Sequence, residues 1–172
     1  MKTLKQIFLE AVDSLKFSGI LKLALDPNTL QSVKKLTDEL PPDANPLKEK
    51  DLHITLVHQD VLKPYRQQLK SFDLSSVPPP QIVMTDKVYK LEKGGRTSWV
   101  SVLANQQEMA AFVNKFLQSL GLPSNPENRV YHITIANATG LAGDSVSNIH
   151  QKDIIGKNLV SNVIQDSDND VR

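Results

Sequence analysis

Two copies of a His-Ile-Thr sequence are the residues of this chain best suited to chemistry. They are His53-Ile54-Thr55 and His132-Ile133-Thr134, and they contain two of the chain's four histidines. Histidine changes protonation near neutral pH, so two imidazoles can divide the roles of general base and general acid. A nearby hydroxyl can donate a hydrogen bond to an oxygen on which negative charge develops. Together the copies contain the groups needed to cleave a phosphodiester without a metal.

The sequence around each copy indicates how these side chains are presented. Both copies lie in short apolar runs, at 52–57 and 129–136, that predict strands. Successive strand residues point to opposite faces, so we expect each histidine to share a face with its threonine while the isoleucines enter the core. A single such match is usually a packing residue, but repetition in the same context favours a functional pair.

Predicted helices and strands around the motifs fall into two similar halves. Helices are predicted over 2–15, 28–40, 62–72 and 105–120, and further strands over 20–25, 81–91 and 97–103. The motifs lie 132 − 53 = 79 residues apart, a separation consistent with duplicated halves whose central strands are side by side. We therefore predict one α+β domain at 1–156, with halves at about 1–77 and 78–156, and a poorly patterned tail at 157–172.

A predicted hairpin turn at 92–96 offers further candidates for substrate binding. Lys93 and Arg96 flank two glycines, and Tyr89 and Trp99 are near in sequence. These residues could grip a phosphate and stack a base, although a solvated turn with a core tryptophan fits equally well. His58 has the opposite strand parity to His53, so we expect it to face away from the motifs.

Composition excludes several classes of function. The 172 residues contain no cysteine and carry a formal net charge of +1. No metal site is expected without clustered Cys, Asp or Glu at ligand spacing, and no stable binding to duplex nucleic acid is expected without a basic excess. No apolar run is long enough to span a membrane or form a signal peptide. We expect a cytoplasmic monomer.

The paired motifs resemble those of the two-histidine (2H) phosphoesterases. The match falls on His53, Thr55, His132 and Thr134, and the arrangement from about 20 to 136 fits the family. The resemblance implies a bilobal fold, with two pseudo-symmetric halves, antiparallel sheets and outer helices around a central cleft. It also implies that these four residues are catalytic and need neither metal nor cofactor. Family members include RNA 2′,3′-cyclic phosphodiesterases, 2′-5′ RNA ligase-like proteins and 2′,5′-oligoadenylate phosphodiesterases.

Within this family the chain is most similar to the phage anti-CBASS nucleases. The similarity rests on the compact size and on the segments 137–140 and 143–145 after the second motif. It implies cleavage of 3′-5′ or 2′-5′ bonds in the cyclic di- or trinucleotide signals of bacterial defence, in the host cytoplasm. Two alternatives stay open. One is an RNA 2′,3′-cyclic or 2′-5′ oligonucleotide phosphodiesterase in RNA-end processing, and the other is a protein that sequesters a cyclic nucleotide without cleaving it.

Overall fold

A seven-stranded antiparallel sheet is the framework of the protein. The computed structural model describes residues 15–74, 77–123 and 129–154 and has a mixed α+β fold. The strands are β1 (Leu15–Phe17), β2 (Leu21–Ala24), β3 (Asn45–Pro46), β4 (His53–Val57), β5 (Met84–Lys93), β6 (Arg96–Leu103) and β7 (His132–Asn137). The α-helices are α1 (Pro27–Asp38), α2 (Gln59–Leu62), α3 (Arg66–Lys70), α4 (Gln106–Ser119) and α5 (Gln151–Ile154). Single 3₁₀ turns lie at Glu49–Asp51, Lys63–Tyr65 and Ala142–Asp144.

The strand order places the two motif strands at the centre of the sheet. It runs β1-β2-β4-β7-β6-β5, with β3 paired to β7. Two strands and a long helix precede each motif strand in the chain, β1, β2 and α1 before β4, and β5, β6 and α4 before β7; the two-residue β3 also lies between α1 and β4. The prediction that the motif strands are neighbours is confirmed, because Ile54 pairs with Ile133. That antiparallel register sets His53 across from Thr134 and His132 across from Thr55.

Two longer helices cover the face of the sheet that buries the isoleucines. Asp26 caps the start of helix α1, and its carboxylate accepts hydrogen bonds at 2.8 Å from both the N–H and the hydroxyl of Thr29. Helix α4 ends before Gly121, which has a φ of +73°. Helix α1, which precedes β4 in the chain, contacts β5 and β7, whereas α4, which precedes β7, contacts β4. Burial of Ile54 and Ile133 under these helices leaves the opposite face of the central strands for chemistry.

Several predicted elements begin, end or divide elsewhere than expected. The helix expected at 62–72 is divided into α2, a 3₁₀ turn and α3. The turn contains Pro64, which has no N–H to donate to a helical hydrogen bond. Strand β7 begins later than predicted, because Arg129 forms an isolated bridge with His150. The expected helix at 2–15 lies outside the described residues except for Leu15, which begins β1, and the tail at 157–172 also lies outside them.

The segment after β7 covers part of the face opposite the long helices. Val146 and Ile149 are buried there in a second apolar cluster, with Leu91, Val100 and Val130. The segment is held by Asn137, which is fully buried. Its amide donates to the Leu141 carbonyl at 2.6 Å, and its Oδ1 accepts from the Gly140 N–H at 2.5 Å. The segment 138–149, for which the sequence predicts no helix or strand, therefore forms one wall of a cleft on this face, and we call it the wall segment. In the described parts of the chain, no helix is long and apolar enough to cross a bilayer.

Candidate active site

Both motifs line one cleft on the face of the sheet that the long helices leave open. The cleft has a volume of about 300 Å³. His53, Thr55, His132 and Thr134 all line it and are half-buried, whereas the isoleucine of each motif is fully buried. The structure thus brings together the four predicted residues on one surface. Their catalytic role stays a prediction.

The two imidazoles are held in the same way. His53 Nδ1 lies 2.8 Å from the carbonyl oxygen of Asp51, and His132 Nδ1 lies 2.8 Å from that of Val130. A carbonyl oxygen can only accept, so each Nδ1 carries a hydrogen and donates it. Nε2 is then the ring atom available to the cleft in both residues. It can act as a base when neutral and as an acid when protonated.

A β-bulge follows the first motif and changes which way the next residues face. Two successive residues of β2 pair with Thr55 and with Val57, which leaves Leu56 as the extra residue. Leu56 and Val57 are both fully buried, where a regular strand would send one of them to the other face. His58 consequently returns to the cleft face and lines the cleft. The prediction that His58 faces away from the motifs is wrong for this reason.

A matching bulge follows the second motif. Two successive residues of β6 pair with Thr134 and with Ala136, which leaves Ile135 as the extra residue. Asn137 is then the counterpart of His58. Both side chains accept a hydrogen bond from the N–H two residues further on, His58 Nδ1 at 3.4 Å and Asn137 Oδ1 at 3.0 Å. The local two-fold relation between the motif strands therefore extends into the turns that follow them.

Burial keeps both imidazoles neutral at neutral pH. Burial lowers the pKa of His53 and the charge of Lys22 adds to this, while the Asp51 carbonyl and carboxylate act in the opposite direction. Burial also lowers the pKa of His132, to about 4, against the opposing effect of its hydrogen bond to Val130. Arg129 and His53 lower the pKa of His132 further, so the two histidines interact electrostatically.

Cationic side chains line the cleft on the side of the second motif. Arg96 donates to the Ser145 carbonyl at 3.3 Å, and Arg129 donates to Asn148 Oδ1 at 2.9 Å. Both guanidinium groups line the cleft while they contact the segment that forms its wall. Their charge favours an anionic ligand, because an arginine fork suits phosphate oxygens.

The structure separates the four residues that the sequence suggested for substrate binding. Only Arg96 of these lines the cleft. Lys93 forms a salt bridge to Asp153 at 3.0 Å, and Tyr89 packs against the second apolar cluster. Trp99 is 1% exposed, with the Lys90 ammonium 5.3 Å from its ring centroid. A tryptophan buried to this extent has no free face on which a base could stack.

Other cleft residues were missed by reasoning from the sequence. Asp51 ends a 3₁₀ turn two residues before His53, so its nearness to the motif in the sequence was the signal that could have found it. Arg129 and His58 gave no such signal. The isolated bridge to His150 places Arg129, and the bulge after the first motif places His58. Ser147 and Asn148 were missed because they belong to the wall segment, for which the sequence predicts no helix or strand. Among the described residues, no three His, Asp or Glu side chains cluster in a way that could hold a metal ion.

Comparison with known proteins gives no family assignment. No protein-family model matches the chain, and no curated protein is similar enough to count as a match.

Proposed function

We propose that this protein is a metal-independent phosphodiesterase of the 2H type. One observation carries the proposal: two histidines meet in one cleft, each with Nδ1 held by a main-chain carbonyl and Nε2 available to a ligand. An acid and a base with matched orientation are what phosphodiester cleavage requires. The two strands and long helix that precede both β4 and β7 support the bilobal arrangement of that family.

The surroundings of the two histidines support a division of roles. His132 has the pKa lowered to about 4, so it is the residue more readily neutral and is proposed as the base. His53 has the Asp51 carboxylate beside it, which favours the imidazolium, and is proposed as the acid. The base takes the proton of a ribose 2′-hydroxyl or a water as its oxygen bonds to phosphorus. The acid gives its proton to the 5′-oxygen as the P–O bond breaks.

Thr55 and Thr134 are proposed to stabilise the charge that develops on phosphorus-bound oxygens. The register sets each threonine across from the histidine of the other motif, so a phosphate between the histidines has a hydroxyl on either side. Hydroxyl donors already in position stabilise the transition state without reorganising. The negative charge of a bound phosphodiester also raises the pKa of both imidazoles, which allows one of them to be protonated.

The substrate we propose is a cyclic di- or trinucleotide signal joined by 3′-5′ or 2′-5′ bonds, whose destruction would evade bacterial CBASS immunity. A cleft of about 300 Å³ suits a small ligand better than a long RNA. The formal net charge of +1 also gives no extended attraction for a polynucleotide.

A substrate panel with EDTA in excess tests this function. It contains cyclic dinucleotides, cyclic trinucleotides, 2′,3′-cyclic mononucleotides and 2′-5′ oligoadenylate, and the product ends are identified. We expect the cyclic oligonucleotides to be cleaved. A transient 2′,3′-cyclic phosphate end identifies the neighbouring ribose hydroxyl as nucleophile, which is the 2′-hydroxyl at a 3′-5′ bond and the 3′-hydroxyl at a 2′-5′ bond. Recovery of bound but intact ligand would point to sequestration, and cleavage of the 2′,3′-cyclic mononucleotides alone would point to RNA-end processing.

A further inference from the structure

A second cavity adjoins the cleft on the side of the first motif. It has a volume of about 260 Å³ and is lined by Gly19, Gln59, Asp60, Lys63 and Arg66. Gln59 lines both this cavity and the cleft, so the two spaces adjoin. We propose that this second cavity binds another phosphate of the substrate. The inference rests on the proposed function and assigns the place at which a phosphate other than the cleaved one is bound.

The helical segment after β4 leads from the cleft to this cavity. Gln59 lies in α2, Lys63 in the 3₁₀ turn and Arg66 in α3, and all three line the second cavity. The segment thus carries two cations away from the motifs, to where a second phosphate of the substrate would lie.

The charges of the cavity suit an anion. Lys63 and Arg66 are exposed, and neither forms an ion pair or side-chain hydrogen bond with another described residue. The Asp60 carboxylate also lines the cavity, 3.2 Å from His58 Nδ1, so two cations share the cavity with one carboxylate. A Cβ at Gly19 would lie 3.4 Å from Arg66 Nη2, so the guanidinium packs beside this glycine. The lining of the cavity therefore has an excess of positive charge, which favours a phosphate.

The shape of the cleft makes this side the natural direction for the rest of a larger ligand. The wall segment, which includes Ala142, Ser145 and Asn148, bounds the cleft on the side of the second motif. On the other side the boundary is the turn at His58 and Gln59, beyond which lies the second cavity. A nucleotide whose reacting phosphate lies between the histidines would extend past Gln59.

The test compares the double variant Lys63→Gln/Arg66→Gln with wild type and with Lys34→Gln/Lys35→Gln. The control removes the same charge from exposed positions on α1, a helix of the opposite face. Kinetics are measured with cyclic diadenylate, which has two phosphates, and with 2′,3′-cyclic adenosine monophosphate, which has one. For the dinucleotide we expect KM to rise about tenfold in the Lys63/Arg66 variant, with kcat within about twofold. For the mononucleotide we expect no change.

Salt provides a second readout. The difference in KM between wild type and the variant should shrink at about 1 M salt, where exposed charges are screened within about 3 Å. An unchanged KM for the dinucleotide, or an equal rise for both nucleotides or in the control variant, would overturn the proposal. If wild type cleaves neither nucleotide, the proposed function has failed. Calorimetric titration of cyclic diadenylate into the same three proteins then decides: weaker binding in the Lys63/Arg66 variant alone supports the site, and any other result refutes it.

Discussion

Acidification should destabilise the protein through His132. The pKa of this imidazole is about 4 in the folded protein, because burial penalises the charged form, and 6.5 is the value for an exposed histidine. Between these two pH values the unfolded chain binds a proton that the folded protein does not. The stability that His132 contributes is therefore full above about pH 6.5 and is lost as the pH falls towards 4.

The size of the effect follows from the same two values. A pKa lowered from 6.5 to about 4 corresponds to at most about 3.4 kcal/mol of unfolding free energy. His132 is half-buried and borders the cleft, so water reduces this figure. We expect a loss of about 1–2.5 kcal/mol between about pH 7.5 and 4.5.

Urea denaturation at several pH values measures this loss. The variant His132→Gln does not titrate, so other groups largely cancel in the difference between wild type and variant. Trp99, the single tryptophan and 1% exposed, provides the fluorescence signal. We expect the unfolding free energy of wild type to fall more than that of His132→Gln as the pH falls. A difference that stays constant from about pH 7.5 to 4.5 would refute the buried, neutral state of His132.

Further predictions concern the cleft and the core. The pKa values of both histidines are lowered in the free protein, so the pH optimum of kcat/KM should lie on the acid side of neutrality. The pH optimum of kcat should be higher, because kcat reports the complex, in which the bound phosphodiester raises both pKa values. Identical pH profiles for kcat and kcat/KM would contradict this. Thr55→Val and Thr134→Val should each lower kcat about 100-fold, whereas replacement by serine should keep the rate within about tenfold. If the valine variants keep the wild-type kcat, the hydroxyls do not stabilise the transition state. Trp99→Phe should leave KM within about twofold while lowering stability by about 1–2 kcal/mol, because the ring is buried and its Nε1 has no hydrogen-bond partner among the described residues. A large rise in KM measured with the cyclic dinucleotide would restore a stacking role for Trp99.

Local patterns in the sequence predicted the elements that carry the motifs. Alternation of side chains was enough to place His53 and Thr55 on one face, because that alternation is a property of any regular strand. The spacing of apolar residues likewise predicted α1 and α4, which the structure confirms with shifts of one or two residues at their ends.

Tertiary interactions decided what the sequence could not show. His58 faces the cleft because of a bulge, and a bulge depends on pairing with another strand. Trp99 and Lys93 were placed near the substrate because they adjoin a flexible turn. In the structure Trp99 is buried in the core, and Lys93 forms a salt bridge to Asp153, which lies 60 residues further along the chain. The wall segment has no periodic pattern in the sequence, because it is held by hydrogen bonds to Asn137 and by the burial of Val146 instead of by a long helix or strand.

The central claim is that two histidines cleave a phosphodiester without a metal. Its most direct test measures the turnover of a cyclic dinucleotide in excess EDTA by wild type, His53→Ala and His132→Ala, with Trp99 fluorescence showing that each protein is folded. We expect wild type to keep its full rate and each variant to lose at least about 1000-fold in kcat, since neither the acid nor the base can be replaced by the other. Loss of the wild-type rate in EDTA, or a folded histidine variant that keeps a rate within about tenfold of wild type, would contradict the claim.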